Sequence, residues 1–184
     1  MPRRSKAEKL YAQFMAEVGI DMSSPHAKDT PRRVTEFFGE YTTGLREPDF
    51  KFTTFPKDKN HGYDQVIVER SIPLFSLCAH HHLPFYGKCS VGYLPDKTIV
   101  GLSKIVRAVQ WQARKPSIQE DLTEEIADLF AHRLKPRAVF VLIQAEHLCV
   151  ACRGVSATGV TTVTHAIRGE FAESVKSEFL SLSA

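Results

Sequence analysis

Apolar residues recur at helical spacing over residues 6–18, where Leu10, Tyr11, Phe14, Met15 and Val18 share a face, and predict an amphipathic opening helix. A polar turn through Met22, Ser23, Ser24 and Pro25 ends it. Thr30-Pro31 reads as the next helix start, with Thr30 as cap and Pro31 at the first position, leading into Arg33, Val34, Phe37, Phe38 and Tyr41. Gly44 is its stop. The period then changes to that of strands, rich in Val, Ile and Phe, over residues 64–76 and 86–94. After a turn at Pro95-Asp96 come a short strand at 98–100, helices over 103–113 and 117–134, strands over 137–149 and 155–167, and a last helix from Ala172. Two strands, two helices and two strands predict an α+β domain, an antiparallel sheet with helices packed on one face, preceded by N-terminal helices. The helical segment is assigned to residues 1–48 and the sheet-bearing unit to residues 49–184, together one functional unit.

Composition narrows the function classes. A chain of 184 residues suits one domain with a respectable core. The start, Met1-Pro2-Arg3-Arg4-Ser5-Lys6, is basic but no long apolar run follows, which predicts neither signal peptide nor membrane helix and a cytoplasmic protein. Its formal charge is only +3 and its basic residues are scattered, so a nucleic-acid partner is not expected. The four cysteines read as thiolates or core residues rather than disulfides.

The chemistry concentrates in Cys78-Ala79-His80-His81-His82 and, far downstream, His147-Leu148-Cys149. Cys78 and His81 have chelating spacing, and Cys149 supplies a third donor for zinc. Three ligands leave a fourth position for water, whose pKa zinc lowers to roughly 7, the pattern of a hydrolytic site. The competing reading adds Cys152 to Cys78, His81 and Cys149 and closes a four-ligand structural site. Strand alternation opposes it: residues 139–149 read as extended, His147 and Cys149 share a face with Val139, Val141 and Ile143, and Cys152 would point away as a buried free thiol. Cys89 reads as a core residue. His80 is best placed as an acid or base, with His82 in a supporting role.

Two other clusters are ambiguous alone. Gly101-Leu102-Ser103-Lys104 followed by Arg107 opens a helix with a hydroxyl and two cations, suited to phosphate, yet such cations usually form a solvated face. Arg153-Gly154 adds a cation close in sequence to the metal donors. Ser117-Ile118-Gln119-Glu120 has the capping-box pattern, so Glu120 either bonds the start of its own helix or accepts from a guanine edge.

Taken in order, Cys78-x-His80-His81, Gly101-Leu102-Ser103-Lys104, Gln119-Glu120 and His147-x-Cys149-x-x-x-Arg153-Gly154 resemble GTP cyclohydrolase I, from about Thr30 to the last helix. The resemblance implies a T-fold subunit in a toroidal homodecamer with interfacial active sites and one zinc each, held by Cys78, His81 and Cys149. It makes His80 and His147 the proton-transfer groups and Glu120 the guanine anchor, with Gln119 beside it. Ser103, Lys104, Arg107 and Arg153 would hold the triphosphate and ribose, with Arg33 as a further contributor. The implied reaction is hydrolytic opening of the GTP imidazole ring at C8, release of formate, and rearrangement to 7,8-dihydroneopterin triphosphate, a first step toward folate, pterin or deazapurine products. Other T-fold purine or pterin enzymes share the plan but use a histidine-only zinc cluster or a catalytic cysteine without zinc. The chain departs from the family at Ala79, where many members carry Glu, and at Glu36, where some bacterial members are basic. It opens almost at its first helix, predicting no regulatory N-terminal extension.

Overall fold

The computed structural model describes residues 5–47, 49–58, 62–170 and 172–183. The basic start at residues 1–4 and Pro48, the last residue assigned to the helical segment, lie outside them. Helix α1 spans Lys6–Glu17, with Ser5 Oγ accepting from the Glu8 backbone N–H at 3.2 Å as its cap. Helix α2 spans Thr30–Tyr41; its cap is Asp29 rather than Thr30, and Pro31 sits in its first turn, where no amide is needed. The chain leaves α2 before Gly44, which lies in a 3-10 turn, Thr43–Leu45. Strands β1 (Thr54–Pro56) and β4 (Thr98–Val100) pair as a small antiparallel ribbon that the alternation pattern showed only in part.

The main sheet has the order β5-β2-β3-β6-β7, with β2 Ile67–Cys78, β3 Pro84–Leu94, β5 Pro116–Ser117, β6 Ala138–His147 and β7 Thr161–Gly169. Neighbours run antiparallel except β5, which joins the end of β2 in parallel through Leu77↔Pro116 and Cys78↔Ser117. Helices α3 (Leu102–Gln112) and α4 (Gln119–Leu134) cover one face, as expected. Leu122, Ile126 and Phe130 of α4 are fully buried there against Val91, Val139, Val141 and Ile143, each such side chain contributing about 1.5–3 kcal/mol. That docking holds the first turn of α4 beside the end of β6. The opposite face is covered in part by the last helix, α6 (Glu173–Ser183), whose Phe179 stacks on Phe140 at 4.8 Å. No helix among the described residues is long and apolar enough to cross a membrane.

Candidate metal centre and its surroundings

Strand β2 ends at buried Cys78, and the chain reverses at once. The Cys78 N–H donates to Leu83 C=O at 2.9 Å and the His82 N–H donates to Cys78 C=O at 2.8 Å, closing a tight turn with His82 at φ 53°. On this turn His80 Nδ1 and His81 Nδ1 each lie 3.8 Å from Cys78 Sγ. Phe38 of α2 packs edge-on against His82 at 5.9 Å, giving that ring a structural place. The Ala79 N–H donates to Ser117 C=O at 3.0 Å, so β5 ties the turn to the start of α4.

Cys149 reaches the same place by a route the alternation pattern missed. Strand β6 stops at His147, and Leu148–Ala151 form a single helical turn, α5. Cys149 is therefore not on the strand face with Val139 and Ile143. Its Sγ nevertheless joins Cys78 Sγ and a His81 ring nitrogen, all within 4.8 Å of one another. Cys152 follows α5, exposed rather than buried, and is outside this group. Cys89 is buried in the core, its thiol pushed up by burial.

The donor set suits zinc, which favours sulfur and imidazole nitrogen. Burial, then the neighbouring Cys78, holds the Cys149 thiol above its usual range. Two adjacent thiolates need a cation between them, and one is the natural partner for this pair.

His147 closes β6 directly across from Phe85 of β3, and the two rings stack at 4.7 Å with only 7° between planes. Its pKa is lowered, chiefly by burial, against a smaller upward pull from Glu120. His147 Nε2 lies 2.8 Å from Gln119 Oε1. Gln119, placed by the motif reading among the substrate contacts, is 1% exposed, and its amide is engaged within the chain. Glu120, one residue on, is exposed. The capping-box expectation fails because Ile118 is the N-cap and Ser117 Oγ donates to Ile118 C=O at 3.1 Å, leaving Glu120 free of any capping bond.

Arg153 Nη1 lies 2.9 Å from His81 Nε2, a contact that sequence reasoning did not foresee. Ser103, Lys104 and Arg107 stand apart on α3. Ser103 and Arg107 are exposed, and the Lys104 ammonium sits 5.8 Å over the Phe50 ring. Among the described residues no hydrogen bond, ion pair or ring contact joins these three, or exposed Arg33 on α2, to the cysteine–histidine cluster. Phe85, Thr123 and Thr164, which frame His147 and Gln119, were invisible to motif reading because they carry no chemistry of their own.

Comparison with other proteins gives this geometry a context. Residues 7–184 match the family GTP cyclohydrolase I. A GTP cyclohydrolase 1 of Hydrogenobaculum sp. is 43% identical over 171 residues, covering 92% of this chain and 91% of that protein. One from Aquifex aeolicus is 41% identical over 181 residues, covering 97% and 96%. Among solved structures, the archaeosine synthase QueF-Like in the apo form matches at TM-score 0.46 and 15% identity, over 60% of this chain and 99% of that one, a likeness too slight to bear on function. A cluster of two thiols and an imidazole, in a chain aligned with one family over nearly its whole length, is what membership looks like: this chain belongs to the GTP cyclohydrolase I family.

Proposed function

We propose that this protein is a working GTP cyclohydrolase: it opens the imidazole ring of GTP hydrolytically at C8, releases that carbon as formate, and lets the remainder rearrange to 7,8-dihydroneopterin triphosphate, an entry to tetrahydrofolate, pterin or deazapurine synthesis. The observation that carries the reading is the three-donor cluster of Cys78, His81 and Cys149 in a member of this family. Those residues would hold one zinc per chain. When bound, zinc supplies Lewis-acid activation of water for attack on carbon near neutral pH.

The chain's own residues do the rest. His80 and His147 exchange protons with the purine five-membered ring. Glu120 accepts from guanine N1–H and the 2-amino group; adenine offers no such pair of donors, so it would leave the carboxylate unpaired. Arg153 meets the phosphate and ribose end, with Ser103, Lys104, Arg107 and Arg33. Because among the described residues no hydrogen bond, ion pair or ring contact links those last four to the cluster, the reading includes a homo-oligomer, a decamer as the resemblance implies, in which a neighbouring copy completes each site. The T-fold unit is residues 49–184. Free thiols at the site suit a reducing, cytoplasmic setting.

The test is to incubate zinc-loaded protein with GTP, following formate and the fluorescence of the oxidised pterin. Zinc content of Cys152→Ala is measured in parallel. Turnover with full zinc in the variant is expected; no formate, together with loss of zinc from Cys152→Ala, would favour the closed structural site.

A further inference from the structure

Gln119 is 1% exposed, and its side-chain hydrogen bonds run in one direction. Its side-chain nitrogen lies 3.0 Å from Thr162 C=O, 3.0 Å from Thr164 Oγ1 and 3.3 Å from Ile143 C=O. Two of these are backbone carbonyls, which only accept, so the amide end facing them must be the NH2 group. Its oxygen therefore faces His147 Nε2 at 2.8 Å. The orientation is locked further by a closed circuit. Gln119 Nε2 donates to Thr164 Oγ1, Thr164 donates to Thr123 Oγ1 at 2.6 Å, and Thr123 donates to the backbone C=O of Gln119 at 2.7 Å. Every hydroxyl proton in that ring is committed.

We infer that Gln119 is a positioning residue that fixes the tautomer of His147. An amide oxygen only accepts, so His147 Nε2 carries the proton and the bare nitrogen is Nδ1. The Phe85 ring lies flat against His147, 4.7 Å away with 7° between planes, and supports the plane of the imidazole. In the neutral form His147 is then left with one acceptor, Nδ1, matched in chemistry to an N–H or O–H donor. With Nε2 held by Gln119, any proton that His147 takes from or returns to substrate passes through Nδ1. The catalytic part of this inference rests on the proposed function; the tautomer does not.

Nitrogen-15 NMR of histidine-labelled, zinc-loaded protein tests it, with the His147 signals assigned by their disappearance in His147→Asn. At mildly alkaline pH the expected result is a protonated Nε2 and a bare Nδ1. A proton on Nδ1 would overturn the inference, whether or not the protein turns over GTP. Kinetics of Gln119→Leu and Gln119→Glu supply the second measurement. Loss of the fixed tautomer should lower kcat by about 10²-fold with KM for GTP little changed, and Glu, which restores an accepting oxygen, should recover part of it. A raised KM with kcat preserved in Gln119→Leu would instead make Gln119 a direct substrate contact. If Gln119→Leu fails to fold, the NMR result on the unaltered chain decides.

Discussion

Arg153 lies against His81, one of the three donors that could hold a metal. An arginine donates and never accepts, so in the contact seen here His81 Nε2 is the acceptor. A histidine that gives Nδ1 to an ion must carry its proton on Nε2, and one that gives Nε2 has no lone pair left there. Either mode of ligation therefore excludes the Arg153 bond and frees the guanidinium for an anion. Arg153→Ala should retain one zinc per chain by elemental analysis and raise KM for GTP by about 10- to 100-fold, the equivalent of one charge-assisted hydrogen bond at about 1.5–3 kcal/mol. Zinc loss with KM unchanged would make Arg153 a support for His81 alone. Residue types were open to reading from the chain, since Cys, His, Arg and Glu announce their chemistry by name. Their partners were not. The His81–Arg153 and His147–Gln119 contacts join residues 72 and 28 positions apart, and no local pattern encodes such a pairing.

Elements repeat the lesson one level up. Periodicity found every long helix and strand because burial of one face is written along the chain at 3.6 or 2 residues. It erred where an element ends: residues 137–149 alternate well, but β6 stops at His147 and a helical turn follows. That change of path brings Cys149 to Cys78 and His81 and leaves Cys152 outside the group. The two-residue strand β5 was likewise too short for any period, although it anchors the histidine turn through Ser117. On the far face, α6 docks because Gly92 leaves space for a ring. A Cβ there would stand 2.6 Å from Phe179 Cδ2 and 2.8 Å from Cε2. Gly92→Ala should lower stability to urea by about 1–3 kcal/mol, the cost of overpacking, with zinc content unaltered. An unchanged unfolding midpoint would show that Phe179 does not rest on this glycine.

For the whole molecule, the two flanks of the sheet matter most. Strand β7 pairs only with β6, and β2 meets β5 only through Leu77 and Cys78, so among the described residues both flanks present unpaired backbone groups. The apolar stripe of α1 is also open: Leu10, Phe14 and Val18 are 55%, 59% and 55% exposed, although their spacing marks them for burial. Open edges, an uncovered stripe and the unlinked cations of α3 all suit association with further copies. Native mass spectrometry should find ten chains per particle; a monomer as the sole active species would remove the oligomer from the proposed function. By itself the sequence determined the α+β order, the chelating and charged residues, and the resemblance to one family, because periodicity and motif spacing are properties of the chain read in line. Only the tertiary structure decided that Cys149 arrives on a helical turn, that Arg153 lies on His81, and that Gln119 is buried with its side chain against His147. The physical reason is that a side chain's direction and hydrogen-bond role depend on what the fold lays across from it.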